Sequence, residues 1–285
     1  MPVPVNLSAS DITATSVRLN WVAGALNPLQ ALINSLFGAS EQGAFYIPMP
    51  VVNGEQALFQ DSAGTVPVTA DGDPVGKMID QSGNANHATQ SVSGSRPVYR
   101  TDGVLHWLEF DGVDDFLVTS TIDFTVTDKM TLCLGLRKTS DARAAALVEM
   151  GTNYGGSGKF GFFAPGQAAP DIAAGLSGSS ANPAAKVIGI SSPATFIASA
   201  KFDYALNSIN SGRLRANSGD FSVLNVAPGE QAAFTNNPIY IGARAGNSLQ
   251  FPGNLYTLTI LGAETSAEEL AQLEQYVADK TGVTL

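Results

Sequence analysis

The chain has 285 residues, of which 25 are acidic and 15 are basic, and its formal net charge is −10. An acidic chain without a run of Lys or Arg lacks the cations that displace counterions from phosphates, which excludes a nucleic-acid-binding surface and disfavours an anionic membrane. A single cysteine, Cys133, excludes an internal disulfide framework and a cysteine-based zinc site.

The amino-terminal residues show no secretion signal and no membrane anchor. The opening MPVPVNLSASD has no basic residue followed by an apolar stretch. No run of about 18 apolar residues predicts a membrane-spanning helix anywhere in the chain. We therefore expect a protein that is made in the cytoplasm and does not insert into membranes.

Residues 3–22 alternate apolar with polar side chains and are rich in Val, Ile and Thr, which predicts two short strands. The string PVNLSASDITATSVRLNW (4–21) resembles the opening two strands of a fibronectin type III domain, with Trp21 at the position of that family's core tryptophan. The resemblance covers about twenty residues and then stops. We interpret it as a fragment of such a domain.

An uncharged helix is predicted after the two strands. Asn27 and Pro28 are typical of a helix cap and first turn. The apolar residues at helical spacing are Leu26, Leu29, Leu32, Ile33, Leu36 and Phe37. No charge lies between Val22 and Ser40, so the helix is covered either by its own domain or by another chain. Of these two alternatives, we predict an assembly contact and assign residues 1–54 to an attachment arm.

Residues 55–285 are predicted to form one large β-sandwich. The first part of it, residues 55–129, holds twelve acids against four bases and therefore most of the negative charge. Beyond Leu105, short strands follow one another without intervening helices, which indicates an antiparallel jelly-roll sandwich. The segment 151–185 is rich in Gly, Ser, Ala and Pro and is predicted to be mostly loop.

The chain ends in a predicted helix over residues 266–281. Ser266 and Glu269 have the spacing of a capping box, and Gly282 follows the last helical residue. Leu270 and Leu273 begin an apolar stripe that we expect to lie on the sandwich. The predicted fold class is all-β, with this C-terminal helix and the N-terminal strand-plus-helix arm.

The segment LEFDGVDDFL (108–117) has two interpretations. A strand entering it places Glu109 and Asp111 on one face, as in glycosidases that use paired carboxylates. A turn uses the same residues without catalysis, because Asp side chains bind nearby backbone amides and Gly accepts a positive φ. We favour the turn, and we predict that the protein is not an enzyme.

Several segments together resemble the laminin-G-like, concanavalin A-like jelly roll over residues 55–285. They are DQSGNANHATQ (80–90), RPVYR (96–100), FDGVDDFL (110–117), YIGARAGNSLQFPGNLYTLTIL (240–261) and the C-terminal helix. The opening segment 57–90 is similar to one common in virion proteins of tailed phages. The resemblance implies a sandwich that binds carbohydrate or protein, sometimes with a calcium ion at one edge.

The resemblance implies two kinds of candidate binding residue, for a calcium ion and for a sugar. Aspartate oxygens suit a hard cation, and either Asp71, Asp73 and Asp80 or Asp111, Asp114 and Asp115 could supply them. We expect no cofactor unless such a calcium ion is bound. Tyr154, on a Gly-rich loop, and Trp107 are the aromatic side chains that we predict to contact a sugar ring.

The predicted function is recognition and assembly in a phage virion. We expect a tail appendage, fibre or baseplate-associated protein that binds a host surface glycan or a neighbouring virion protein. Residues 1–54 are predicted to hold it to other virion proteins, and a homo-oligomer is expected. The alternatives are a head decoration protein and a polysaccharide-cleaving glycosidase that uses Glu109 and Asp111.

Overall fold

The computed structural model describes residues 27–167 and 170–285. The strands predicted in residues 3–22 and the candidate contact residue Leu26 lie outside this range. The helices are α1 (Pro28–Phe37) and α2 (Ala267–Thr281). In chain order, the strands are β1 (Gly43–Tyr46), β2 (Val51–Val52), β3 (Glu55–Gln56), β4 (Leu58–Phe59), β5 (Lys77–Met78), β6 (Ala88–Thr89), β7 (Val98–Thr101), β8 (His106–Asp111), β9 (Leu117–Thr119), β10 (Ile122–Asp123), β11 (Lys129–Lys138), β12 (Ala146–Met150), β13 (Lys159–Phe163), β14 (Ile172–Ser177), β15 (Ala184–Val187), β16 (Ala194–Asp203), β17 (Gly212–Ala216), β18 (Ser222–Val223), β19 (Asn236–Asn237), β20 (Ile239–Ile241) and β21 (Pro252–Leu261).

Two large antiparallel sheets form the sandwich, which confirms the predicted all-β class. The nine-stranded sheet has the order β15-β14-β13-β12-β20-β9-β6-β5-β4. The eight-stranded sheet runs β18-β17-β16-β11-β21-β8-β7, and β1 pairs with the second half of β21. The predicted turn of FDGVDDFL lies between β8 and β9, so it joins the two sheets.

The core fills the space between the sheets because the strands alternate their side chains. On β11, Met130, Leu132 and Leu134 enter this core. Cys133 points to the other face of the same strand, where the helices cover it. Burial raises the pKa of the Cys133 thiol to about 12, which keeps it protonated and unreactive at neutral pH.

Helix α2 lies on the outer face of the eight-stranded sheet, against β11, β16 and β21. Its predicted capping box is confirmed: Glu269 N donates to Ser266 Oγ at 3.1 Å, and Ser266 N donates to Glu269 Oε2 at 2.8 Å. Gly282 ends the helix in the left-handed region, with φ 72°. No helix within the described residues is long and apolar enough to cross a membrane.

Helix α1 packs on α2. Asn27 caps it by accepting a hydrogen bond from Gln30 N at 2.8 Å, as predicted. Its apolar stripe joins Leu273, Val277 and Phe45 in one buried cluster, which contains Leu32, Ile33, Leu36 and Phe37 and has Leu29 at its edge. Their own chain therefore buries four of the residues predicted to form an assembly contact, and an assembly contact through this helix stays a prediction.

Residues 27–54 of the predicted arm pack with the sandwich. Strand β1 pairs with β21 from Gly43 opposite Leu261 to Tyr46 opposite Leu258. Behind β1, Asp80 accepts hydrogen bonds from Phe45 N and Ser82 N, both at 2.9 Å. This part of the predicted arm is a built-in element of the sandwich.

The segment 151–185 contains more regular structure than its composition predicts. It includes β13, β14 and the start of β15, which pair with one another in register. Strand β14 has the sequence IAAGLS, and Ala and Gly have low strand propensity. Pairing and burial against the core override that propensity.

Candidate functional site

A cleft of about 780 Å³ lies on the outer face of the nine-stranded sheet. Alternation along the strands locates it: Phe162 and Ala174 enter the core between the sheets, whereas their neighbours Phe163 and Ala173 pack together on the outer face. The volume is in the range typical of small-molecule sites. On the other sheet, helix α2 lies against the outer face of β11, β16 and β21.

Two aromatic rings, Tyr154 and Phe163, form the cleft floor, and two glycines lie beneath them. Gly161 on β13 pairs with Gly175 on β14. A Cβ atom on Gly175 would lie 2.5 Å from the Tyr154 ring, and one on Gly161 would lie 2.8 Å from the Phe163 ring. The absence of side chains at both glycines therefore lets the rings lie against the sheet. The centroids of Tyr154 and Phe163 are 5.3 Å apart.

One buried carboxylate positions the groups around this floor. Glu149 on β12 is fully buried and accepts a hydrogen bond from Tyr154 N at 2.8 Å. It also accepts a hydrogen bond from Arg244 Nε at 2.9 Å, and the Arg244 guanidinium lies 5.8 Å from the centre of the Phe163 ring. Burial raises the pKa of Tyr154, so its hydroxyl remains a proton donor at neutral pH.

A second ion pair lies on the β15 side of the cleft. Lys186, opposite Ala173 in the sheet, has its Nζ atom 3.5 Å from Oδ2 of the buried Asp171. The side-chain amides of Asn182 and Asn225 also line this side. The cleft thus combines an aromatic floor with hydrogen-bonding groups at its rim, which suits a ring-shaped ligand with one apolar face and polar edges.

The structure separates the two aromatic residues predicted to contact sugar. Tyr154 lines the cleft on the nine-stranded sheet. Trp107 lies on β8 of the eight-stranded sheet and packs against Tyr256, with ring centroids 5.7 Å apart. Its half-buried indole therefore belongs to a different surface.

The turn after β8 brings together Asp111, Asp114 and Asp115, with carboxylate oxygens within 4.8 Å of one another. Asp111 Oδ1 accepts a hydrogen bond from Val113 N at 2.7 Å, and Asp115 Oδ2 accepts one from Asp111 N at 2.9 Å. Burial and the neighbouring carboxylates raise the pKa of Asp115 to about 6. These oxygens are of the type that calcium prefers, and calcium binding stays a prediction.

The alternative aspartate set has structural partners. Asp80 is buried and accepts four hydrogen bonds from Phe45, Ser82 and Asn86. Asp73 accepts hydrogen bonds from the backbone of residues 69 and 70. Asp71 accepts a hydrogen bond from the backbone of Thr101 at 2.9 Å. These three residues fix turns.

The predicted carboxylate pair, Glu109 and Asp111, does project from one face of β8. Glu109 Oε1 lies 3.5 Å from Arg100 Nη2, and Asp111 caps its own turn. Neither residue lines the cleft on the nine-stranded sheet. The structure therefore places the carboxylate pair of the glycosidase alternative and the cleft on different sheets.

The predicted site residues did not include Phe163, Lys186 and Arg244, which line the cleft, or Glu149, which lies buried behind it. The sequence carries one signal for them, because Glu149 is a lone acid in the apolar strand ALVEM. A buried acid in such a strand needs a partner, and here that partner is Arg244. The partner itself is 95 residues away, so local pattern does not identify it.

The sequence matches no family model and no curated protein. Solved structures share its fold. An arabinofuranosidase complexed with arabinofuranosyl-alpha-1,2-xylobiose is 13% identical, and the match covers 87% of this chain and 65% of that chain at a TM-score of 0.53. The receptor binding domain of botulinum neurotoxin D is 9% identical, with 86% and 53% covered and a TM-score of 0.55. The CBM40 of Ruminococcus gnavus IT-sialidase is 15% identical, with 53% and 84% covered and a TM-score of 0.40.

The first two similarities show the two-sheet sandwich fold and are coarser than the laminin-G-like resemblance of the sequence. The chain spans less than two thirds of the arabinofuranosidase and of the neurotoxin domain. The prediction that the protein is not an enzyme is corrected, because a glycosidase has this fold over 87% of the chain. The fold thus gives no ground for excluding hydrolysis.

Proposed function

We propose that this protein binds a glycan in the cleft on the outer face of its nine-stranded sheet. The observation that carries the proposal is the floor, where Tyr154 and Phe163 lie over the glycine pair of β13 and β14. A sugar ring has a C–H face that packs on aromatic rings and hydroxyl edges that need polar partners. Arg244 and the amides of the rim are such partners.

The solved structures support the same class of ligand. One of them is an arabinofuranosidase complexed with an oligosaccharide, and it has the sandwich fold of this chain. The fold alone does not determine the ligand, since functions are carried by sites. The chemistry of the cleft is therefore the main support for a glycan ligand.

A glycan array tests the proposal. We expect the wild-type protein to bind members of the array, and Tyr154→Ala to weaken binding at least tenfold, since a stacked aromatic ring is lost. Tyr154→Phe keeps the ring and should retain most of the affinity. Gly175→Ala places a Cβ atom against the Tyr154 ring and should also weaken binding, whereas Gly94→Ala meets no atom within 4 Å and serves as its control.

Two outcomes would contradict the proposal. One is the absence of binding to every glycan on the array by a folded wild-type protein. The other is full affinity in Tyr154→Ala, which would place the ligand elsewhere. Melting temperatures of all variants separate loss of binding from loss of fold.

Glycoside hydrolysis is a second candidate function, favoured by the arabinofuranosidase fold match. It is measured by incubating the bound glycans with the protein and assaying new reducing ends. The candidate catalytic carboxylates are Glu109 and Asp111 on β8. If Glu109 takes part in hydrolysis, activity should vanish in Glu109→Gln. Activity that persists in this variant would remove Glu109 from the chemistry.

We also propose a virion setting for this binding activity. Its support is the similarity of segment 57–90 to tailed-phage virion proteins, with a tail appendage favoured over head decoration. Since residues 27–54 belong to the sandwich, residues 1–26 are the part of the predicted arm left to contact other virion proteins. Deleting them should leave a folded protein that no longer joins the particle, as judged by mass spectrometry of purified particles; incorporation of the truncated protein would refute the attachment role.

A further inference from the structure

The charges at the cleft differ from those of the whole chain. Of the described residues that line it, Lys186 and Arg244 are cations and none is an acid. The carboxylates that pair with them lie behind the surface, where Glu149 is 0% exposed and Asp171 is 3% exposed. Each pair therefore presents its positive end to a ligand.

Arg244 retains hydrogen-bonding capacity toward the cleft. Within the described residues, its guanidinium uses Nε to bind Glu149, and no hydrogen bond involves its two terminal nitrogens. Its side chain is 26% exposed. A guanidinium held at one nitrogen by a buried carboxylate is fixed in orientation, and its planar fork matches a second carboxylate or a sulfate.

Lys186 adds a second cation on the β15 side. Its side chain is 44% exposed, and its Nζ atom is 3.5 Å from Asp171 Oδ2, which is longer than a strong charge-assisted hydrogen bond. The ammonium can therefore reorient toward a ligand. Most of the acidity of the chain lies in residues 55–129, outside the segments that line the cleft.

We infer that the glycan bound in this cleft is acidic, with a carboxylate or sulfate group that faces Arg244 and Lys186. This inference rests on the proposed function and names its class of ligand. Neutral sugars satisfy the aromatic floor, but they offer no charged partner to the terminal nitrogens of Arg244 or to the exposed ammonium of Lys186. An anionic sugar satisfies the floor and the rim together.

The experiment uses an array with sialylated, uronic-acid, sulfated and neutral glycans. We expect the bound members to be acidic, and the affinity for the strongest of them to fall at least tenfold after chemical carboxyl reduction or desulfation. These two treatments distinguish a carboxylate from a sulfate. Raising sodium chloride from about 50 to about 500 mM should weaken binding, because the cations are partly exposed.

Two variants, chosen to preserve the fold, test whether Arg244 and Lys186 bind the acidic group of the glycan. Arg244→Lys keeps a positive charge beside Glu149 but removes the fork. The double variant Lys186→Gln with Asp171→Asn removes both charges of the second pair and leaves the net charge unchanged. We expect at least tenfold weaker binding in the first and several-fold in the second, with Lys280→Gln on the helix-covered face as the control.

The failure of this inference differs from the failure of the proposed function. Binding to neutral glycans that is unchanged by carboxyl reduction or desulfation overturns the acidic ligand and leaves glycan binding in place. Unchanged affinity for an acidic glycan in both cation variants overturns the assignment to this cleft. A folded protein that binds no glycan at all refutes the proposed function and the inference with it.

Discussion

At the residue scale, Asp115 is expected to make the stability of the protein depend on pH. Its carboxyl is buried at the turn between the sheets, and its pKa is raised to about 6 by burial and by Asp111, Asp114 and Glu109. An unfolded aspartate has a pKa of about 3.9. The folded protein therefore binds this proton more tightly, so the contribution of Asp115 to stability is lost as pH rises from about 4 to about 6.

The replacement Asp115→Asn should remove this pH dependence. Asn still accepts the hydrogen bond from Asp111 N but does not ionise. Between pH 4 and pH 7.5, the free energy of unfolding should fall by about 1–3 kcal/mol more in the wild type than in the variant. Urea denaturation in the presence of EDTA measures the difference, and parallel pH curves would refute the role of Asp115.

The residues of the cleft were predictable from sequence to different degrees. Tyr154 could be predicted as a candidate ligand contact, because its aromatic ring lies on a Gly-rich loop. Gly161 and Gly175 acquire their role from strand pairing, since the register places them opposite each other. Arg244 and Lys186 come from distant segments and meet Glu149 and Asp171 after the chain folds.

At the element scale, the two helices illustrate what local pattern can and cannot decide. Capping residues define both helices, because they act within one turn of the chain. The partner of an apolar stripe is a tertiary property. For α1, the sequence left its own domain and another chain as alternatives, and the structure shows the stripe packed on α2 and β1.

Leu36→Ala tests the packing of α1. Leu36 is 2% exposed and lies in the cluster with Leu273 and Val277. Removing its buried methyl groups should lower the free energy of unfolding by about 2–5 kcal/mol. The exposed Asn34→Ala on the same helix is the control, with an expected change within about 0.5 kcal/mol.

Chemical denaturation and light scattering distinguish the alternatives for α1. Our account predicts lower stability in Leu36→Ala with an unchanged molar mass. Unchanged stability together with a smaller assembly would restore the interpretation of α1 as a contact between chains.

At the scale of the whole molecule, the two outer faces of the sandwich are used differently. The helices cover β11, β16 and β21, while the other sheet leaves the cleft over β13, β14 and β15 accessible. The sandwich class was predictable from repeated short strands. The sequence did not predict which outer face is covered and which is open, because that depends on the sheet against which the helices pack.

The central claim is that a glycan occupies this cleft, and amide NMR spectra recorded with the strongest-binding glycan test it most directly. We predict chemical-shift changes at Gly161, Gly175 and the loop of residues 151–158. Changes confined to the turn of residues 111–115 or to the surroundings of Trp107, with the cleft amides unmoved, would contradict the account.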